Sequence, residues 1–210
     1  MINERVICTA CRNELILTNS YLHNDNETEK VFYGRARIDH AVSLLVFEKK
    51  GIAQRLMHDL KYHGNKAVGT ELGNWLGQNL LKTIWHSKIE VVVPVPLHKK
   101  RLRKRGYNQV EGFGKALANI LNVPYNDRCL IKIHANKTQV FKNLAARFKN
   151  VEHNFELAQK EVKSLENKHI LLVDDIITTG ATLETCAQKL QEIPNTTISI
   201  AAMAKTGYGA

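Results

Sequence analysis

Two acidic residues followed by a run of small hydroxyl-bearing residues could bind a phosphorylated ligand. Asp174 and Asp175 come directly after the apolar segment 169–173, and residues 178–182 precede a predicted helix. The residues of this second run are Thr178, Thr179, Gly180, Ala181 and Thr182. Backbone N–H groups before a helix, together with threonine hydroxyls, bind phosphate, and Gly180 lets the backbone approach closely. Carboxylates repel phosphate, so the acidic pair would instead accept hydrogen bonds from sugar hydroxyls or hold a metal through water.

A simpler interpretation is that the acidic pair only caps a helix at the end of a strand. The complete string from Asp174 to Thr182 favours a functional site over that interpretation. A P-loop enzyme is excluded because that motif requires a lysine after its second glycine. The nearest match runs from Gly64 to Gly69 and is followed by Thr70.

A second candidate site is strongly basic. Six of the seven residues from 99 to 105 are lysine or arginine, and they follow the sequence Pro94-Val95-Pro96, which ends a predicted strand. Like charges at this density repel one another unless an anion joins them. We therefore interpret this stretch as a second anion-binding loop. A solvated loop and a targeting sequence are the alternatives.

The pattern of apolar residues predicts strands alternating with helices. The predicted strands are 41–47, 89–93, 169–173 and 196–203, and the predicted helices are 51–62, 67–85, 110–121 and 182–193. Continuous apolar strands alternating with helices are typical of a parallel sheet covered on both faces. The α/β class would bring both candidate loops to the carboxyl ends of strands, where such sheets bind ligands. Residues 1–35 are expected to form a polar appendage, and 134–154 a long loop.

Composition narrows the class of protein. The chain has 210 residues and no apolar run near the roughly 18 residues that span a bilayer, so no membrane span is expected. The first residues show no apolar signal core, which favours a cytoplasmic protein. A formal net charge of +10 indicates an anionic partner.

Cys8 and Cys11 have the spacing of half a zinc site, whereas a structural zinc ion needs four ligands. Several explanations stay open. A longer chain could begin before Met1 and carry a second pair, His23 or His40 could complete the site, or no zinc is bound. The distant residues Cys129 and Cys186 do not suggest a disulfide framework.

The acidic-pair segment resembles the phosphoribosyl-pyrophosphate (PRPP) motif of type I phosphoribosyltransferases. The resemblance implies that Asp174 and Asp175 bind the ribose hydroxyls and that residues 178–182 bind the 5′-phosphate. Pro94-Val95-Pro96-Leu97, followed by Arg105-Gly106-Tyr107-Asn108-Gln109, is similar to the ComF branch of that family. The implied pyrophosphate-binding residues are Leu97, His98, Lys99, Lys100 and Arg101. The similarity covers roughly residues 40–205.

The resemblance carries further expectations. It implies a type I phosphoribosyltransferase fold over residues 36–210, with residues 1–35 as an incomplete zinc-ribbon-like appendage, since ComF-like proteins carry two cysteine pairs. The segment from Thr138 to Asn150 resembles a flexible loop that closes over the substrate, in which Arg147 would neutralise the leaving group as a catalytic residue. Mg²⁺ bound with PRPP and a homodimer are also implied. Leu60-Lys61-Tyr62 resembles another motif of the branch, although a solvated Lys61 is the favoured interpretation.

Three functions follow from these expectations. The first is a pentosyl transferase that moves a phosphoribosyl group from PRPP to an amine or nucleobase and releases pyrophosphate. The alternative is a non-catalytic accessory protein for DNA uptake that binds single-stranded DNA or a nucleotide. A PRPP-sensing regulator is a third option, although no DNA-reading helix pattern is evident. A complete glutamine-using amidotransferase is excluded, because Cys8 is neither terminal nor part of a large enough domain.

Overall fold

The computed structural model describes residues 6–134 and 154–207. Its strands are β1 (Ala41–Phe47), β2 (Val91–Pro94), β3 (Leu130–Lys132), β4 (Phe155–Leu157), β5 (His169–Ile177) and β6 (Thr197–Thr206). Its α-helices are α1 (Thr9–Glu14), α2 (Ile52–Tyr62), α3 (Lys66–Leu80), α4 (Lys99–Arg105), α5 (Glu111–Leu121), α6 (Gln159–Leu165) and α7 (Ala181–Leu190). Short 3₁₀ turns lie at Ser20–Leu22, Glu29–Phe32 and Trp85–Lys88.

Four of these strands form one parallel sheet in the order β1-β6-β5-β2. Side chains along β5 alternate between its two faces: Leu171 and Val173 belong to one apolar core, and Ile170 and Leu172 to the other. Helices α2, α3 and α5 cover the first face, while α7 covers the second. Both faces are buried, which explains why the strands are continuous apolar runs and confirms the predicted α/β class.

Helices α3 and α5 lie close together because glycine lies between them. A Cβ built on Gly73 would be 2.6 Å from the backbone oxygen of Phe113 and 2.8 Å from the Cβ of Ala116. No side chain fits in that space. The close contact places the start of α5, and the residues just before it, beside the carboxyl end of the sheet.

The segment before β1 packs on the sheet more closely than an irregular appendage would. The backbone N–H of Thr18 donates to Leu44, and that of Val46 donates to Ile16, around an antiparallel bridge between Leu17 and Leu45. The segment therefore extends along the free edge of β1, opposite β6.

The elements differ from the prediction at several places. Strand β5 continues to Ile177, so Asp174 and Asp175 lie within the strand and not after it. The predicted helix 67–85 ends at Leu80, and a separate 3₁₀ turn begins at Trp85. The antiparallel pair of β3 and β4 was not predicted, because three-residue strands carry too few side chains to show a period. The predicted long loop, 134–154, falls mostly outside the described residues.

Candidate functional site

The acidic pair is buried near the carboxyl end of β5. Asp174 is 8% and Asp175 is 7% exposed. The backbone N–H of Asp175 donates to Asp174 Oδ1 over 2.8 Å, and that of Ile176 donates to Asp175 Oδ1 over 2.7 Å. Burial, with the negative charge of Asp175 beside it, raises the pKa of Asp174 well above its ordinary value. The two carboxylates are thus fixed in orientation, and Asp175 stands close enough to disfavour the ionised form of Asp174.

Lys61 holds the second carboxylate of the pair. Its Nζ is 2.7 Å from Asp175 Oδ2, and its side chain is 23% exposed. Gln109 Nε2 donates to the same oxygen over 3.2 Å. The interpretation of Lys61 as a solvated helix residue is therefore wrong: Leu60 is anchored in the core, and the end of α2 carries Lys61 over the carboxyl edge of the sheet.

One cleft of about 810 Å³ brings the acidic pair together with several cations. The basic residues that line it are Lys61, Arg101, Lys104, Arg105 and Lys132. Thr182, from the start of α7, lines the same cleft, whereas Thr178, Thr179, Gly180 and Ala181 do not. The cleft thus has buried carboxylates, a largely cationic rim and the first turn of a helix. This arrangement suits a ligand that carries both hydroxyl and phosphate groups.

Residues 178–182, named the phosphate loop for their predicted role, join β5 to α7. Thr178, Thr179 and Thr182 are exposed, so their hydroxyls are accessible. Gly180 has φ +75°, in the left-handed region, and a Cβ there would lie 2.6 Å from Val31 Cγ1. The prediction that Gly180 lets the backbone approach a phosphate closely stays a prediction. The close neighbour in the described structure is the N-terminal segment packed behind the loop.

Arg35 ties that segment to the phosphate loop. Its guanidinium donates to the backbone oxygen of Thr179 and to Glu184 Oε2, each over 2.5 Å. Gln188, further along α7, donates to the backbone oxygen of Arg35 over 2.9 Å. These contacts cross the predicted domain boundary between residues 35 and 36, and Arg35 offsets a carboxylate in the first turn of α7.

The basic stretch is a helix and not the predicted loop. His98 precedes α4, and its Nδ1 accepts a hydrogen bond from the N–H of Lys100 over 3.2 Å. Gly106 ends the helix at φ +83°. Lysine and arginine have good helix propensity, and these two caps stabilise a helix of only two turns.

The helix separates the predicted pyrophosphate-binding residues. Leu97 and Arg101 line the cleft that contains the acidic pair. Lys99, together with Leu97, lines a neighbouring cleft of about 550 Å³. His98 and Lys100 line neither of these clefts. A helical turn points successive side chains in different directions, so a continuous run in sequence does not become a continuous binding surface.

Gln109 and Lys132 line the cleft and were missed by sequence reasoning. Gln109 ends the Arg-Gly-Tyr-Asn-Gln motif, which could have identified it. Lys104 and Arg105 also line the cleft and belong to the predicted anion-binding stretch, although they were not among the implied pyrophosphate-binding residues. Lys132 carried no local signal, because its place depends on the β3–β4 pair. Burial lowers the pKa of Lys132, and the nearby Arg101 lowers it further.

Arg147, the remaining predicted catalytic residue, lies outside the described residues. Cys8 and Cys11 lie near each other: the N–H of Cys11 approaches Cys8 Sγ at 3.5 Å. The hydrogen bond to Cys8 raises the pKa of Cys11. Within residues 6–134 and 154–207, neither His23 nor His40 lies close enough to this pair to form a metal site with it: no such group of three ligand atoms lies within 4.8 Å of one another. His40 instead stacks on Trp85.

Across the described ranges, no helix has the length and apolar character needed to cross a bilayer.

Part of this chain is similar in sequence to known proteins. Residues 111–208 match the family model of the phosphoribosyl transferase domain. The DNA utilization protein YhgH of Salmonella typhimurium is 27% identical over 154 residues, which are 72% of this chain and 66% of that protein. Competence protein F of Haemophilus influenzae is 31% identical over 50% of this chain and 45% of its own length. Competence protein ComFC of Bacillus subtilis is 36% identical over 52% and 41%.

Two solved structures superpose partially. One is the glutamine PRPP amidotransferase from B. subtilis complexed with ADP and GMP (TM-score 0.44, 21% identity, 64% of this chain and 25% of that one). The other is the adenine phosphoribosyltransferase from Leishmania tarentolae (TM-score 0.43, 10% identity, 77% and 90%). The chain spans about two thirds or less of the curated relatives just described. The matched domain and the named relatives confirm the resemblance seen in the motifs: residues 111–208 carry a phosphoribosyl transferase domain, and the chain is similar to ComF-like proteins.

Proposed function

We propose that the cleft binds PRPP with Mg²⁺ and transfers its phosphoribosyl group to an amine or a nucleobase. The observation that carries this proposal is the meeting of two buried carboxylates with five cationic side chains in one cleft. A ligand that fits this cleft has neutral hydroxyl groups to donate to the carboxylates and a dense negative charge to meet the cationic side chains. A phosphorylated ribose with a pyrophosphate group has both.

The ribose is expected to lie on the acidic pair. Its hydroxyls would donate to Asp174 and Asp175, which accept hydrogen bonds when ionised. Asp175 is held before any ligand arrives, because Lys61 and Gln109 donate to Oδ2 and Ile176 donates to Oδ1. The neighbouring Lys61 and Lys132 also favour the ionised form of Asp174 against the effect of burial.

The 5′-phosphate is expected at the phosphate loop. The first N–H groups of α7 have no acceptor within the helix, and the helix dipole is positive at that end. Thr182, which lines the cleft, would add a hydroxyl donor. Carboxylate oxygens are the ligands that Mg²⁺ prefers, so Asp174 and Asp175 would hold it directly or through water, and it would offset phosphate charge.

The pyrophosphate is expected on the basic rim formed by Arg101, Lys104, Arg105 and Lys132. In the transfer, the bond from ribose C1 to the pyrophosphate oxygen breaks, and its electron pair leaves on pyrophosphate. A bond forms from C1 to the nitrogen of the acceptor, which gives up a proton to solvent. Cations on the rim would stabilise the charge that develops on the leaving group.

The test is a calorimetric titration with Mg²⁺-PRPP of the unchanged protein and of Asp174→Asn/Asp175→Asn. The double variant is expected to lose binding at least a hundredfold, since two charge-assisted acceptors are removed. A matched control is Asp39→Asn/Glu90→Gln, which removes two carboxylates that precede β1 and β2, at the opposite edge of the sheet. Circular dichroism confirms that each variant is folded. Unchanged affinity in the double variant of the acidic pair contradicts the proposal. If the unchanged protein binds PRPP, release of pyrophosphate is measured next with candidate acceptors.

The second candidate function is a non-catalytic role in DNA handling. The observation that favours it is α4, whose lysine and arginine side chains are almost all exposed. Relatives named for competence and DNA utilization are consistent with this role. Contacts from such a helix to a phosphate backbone would weaken steeply as salt rises.

A titration with a short single-stranded oligonucleotide at two salt concentrations separates the candidates. Salt-sensitive DNA binding without PRPP binding supports the accessory role and contradicts the transferase. PRPP binding that competes with DNA would mean that both ligands use the same basic rim. Arg103→Ala, which changes an exposed residue outside the cleft, should weaken DNA binding alone.

A further inference from the structure

The carboxyl end of α2 and the residue that follows it bring together three side chains that can ligate a metal. One ligand atom from each of His58, Asp59 and His63 lies within 4.8 Å of the other two. Asp59 Oδ1 and His63 Nδ1 are 2.9 Å apart, and the rings of His58 and His63 meet edge to face with centroids 5.0 Å apart. In the part of the chain that the structure describes, no other group of three His, Cys, Asp or Glu is this close.

The spacing is near that of a tetrahedral site. Zinc–nitrogen and zinc–oxygen bonds near 2.0–2.1 Å place neighbouring ligand atoms roughly 3.3 Å apart. Asp59 and His63 already meet that separation within about half an ångström. The side chains of Asp59 and His63 are 44% and 64% exposed, so they are free to rotate at the surface. Rotation about side-chain bonds can therefore shorten their distances to His58 without moving the backbone.

Two features close to the three side chains favour a cation, against the largely cationic rim of the neighbouring cleft. Helix α2 ends at Tyr62, and the carboxyl end of a helix carries partial negative charge. Asp59 adds a full negative charge. The neighbouring cation, Lys61, is neutralised by Asp175 and does not oppose a metal at full strength. Two imidazoles and one carboxylate suit zinc and similar first-row ions better than magnesium, which prefers oxygen ligands alone.

We infer that His58, Asp59 and His63 form a binding site for a first-row divalent ion of the zinc class. Three protein ligands leave a fourth position for water or for an oxygen of a second ligand, as in zinc sites that are not purely structural. His63 also lines the cleft with the acidic pair, so this position lies at the rim of that cleft. The site is separate from Cys8 and Cys11, and its existence does not depend on the proposed transferase activity.

The test is titration with Zn²⁺ alone, without PRPP, in the Cys8→Ser/Cys11→Ser background, so that the cysteine pair contributes nothing. One equivalent is expected to bind. His58→Ala and His63→Ala should each weaken the affinity at least tenfold, and Asp59→Asn less, because its amide oxygen remains a weak ligand. The matched control is His134→Ala, which removes another exposed histidine and should leave the affinity unchanged.

A second measurement protects the test if the cysteine variant does not fold. Co²⁺ replaces Zn²⁺ in the unchanged protein, and its visible spectrum reports tetrahedral ligands, while a strong near-ultraviolet band reports bound thiolate. Tetrahedral absorption that disappears in His58→Ala/His63→Ala supports the site. Absence of binding, or zinc affinity that is the same with and without the two histidines, overturns it.

Discussion

The phosphate loop and the basic helix α4 both present groups for anions, but the protein builds them in different ways. The phosphate loop is fixed from behind by contacts with residues distant in sequence, Val31 and Arg35. Helix α4 is held at its ends by its own neighbours, His98 and Gly106, and its charged side chains are almost all exposed.

The difference indicates two modes of anion binding. A loop held by packing offers N–H groups whose positions are set in advance, so its affinity depends on geometry as well as on charge. Long exposed side chains bind through charge, lose rotamer freedom on binding and are screened by salt. We therefore expect substitutions behind the loop to act through structure, and substitutions on α4 to act through charge.

The largest effect is expected from Gly180→Ala. The left-handed φ costs an alanine about 1–2 kcal/mol, and the overlap with Val31 adds a similar amount, so the free energy of unfolding should fall by about 2–4 kcal/mol. Urea unfolding measures it, and affinity for ribose 5-phosphate should be lost. The control is Gly34→Ala, which has φ +68° but nothing within 4 Å of its Cβ. Equal losses in the two variants would mean that the packing behind the loop is unimportant.

Arg35→Ala is expected to weaken ribose 5-phosphate binding by about five- to tenfold, or about 1 kcal/mol, since Arg35 is partly exposed. The loop loses its anchor at Thr179, and Glu184 loses its partner beside the phosphate. Calorimetry measures the change. Arg37→Ala removes the same charge from an exposed neighbour, whose backbone oxygen accepts a hydrogen bond from Gln191 at the far end of α7, and it serves as the control. If both variants bind alike, Arg35 does not position the loop.

Lys100→Ala/Arg101→Ala should weaken pyrophosphate binding by about three- to tenfold more than ribose 5-phosphate binding, with the difference shrinking as salt rises. The single variants sharpen the comparison: Arg101 lines the cleft and Lys100 does not, so Arg101→Ala should account for most of the loss. Equal losses for both ligands would contradict the assignment of α4 to pyrophosphate.

The smallest expected effect is a change in how the stability of the protein depends on pH. It concerns the acidic pair, which lies between the phosphate loop and α4 in the cleft. The pKa of Asp174 is raised in the folded protein by burial and by Asp175, while Lys61 and Lys132 act against the shift. Above the ordinary value of about 4, the unfolded chain loses this proton while the folded protein keeps it. The contribution of Asp174 to stability therefore falls as pH rises from about 4 towards its folded pKa.

Asp174→Asn should remove this dependence and raise the melting temperature of the ligand-free protein at neutral pH. Melting curves from pH 5 to 8 compare the two proteins. Parallel curves would show that Asp174 is ionised throughout that range in the folded protein.

Much of the fold and one half of the site could be predicted because their signals are local. The β5 segment, the acidic pair and the phosphate loop are consecutive in sequence, and a strand followed by small residues and a helix has a recognisable pattern. The alternation of elements likewise predicted a parallel sheet with two buried faces.

The remainder depends on tertiary contacts or on local signals that were outweighed. Lys61 reaches Asp175 from more than a hundred residues away, and its local signal, the resemblance of Leu60-Lys61-Tyr62 to a motif of the branch, was outweighed by the interpretation as a solvated helix lysine. Lys132 depends on a short strand pair, which itself has no period. The helix at 99–105 was missed because the density of charge suggested a loop, although His98 and Gly106 were visible as caps.

The pairing of β1 with β6 has a consequence for how the chain folds during synthesis. Ala41 lies beside Ile200, so at ribosomal speed β1 emerges about 10–30 s before the strand that completes it. An apolar strand with unpaired edges can associate with other chains. The backbone hydrogen bonds from Thr18 and to Ile16 cover one edge of β1 with residues synthesised earlier. The segment before β1 is therefore available to protect that edge of the nascent strand while the other awaits β6.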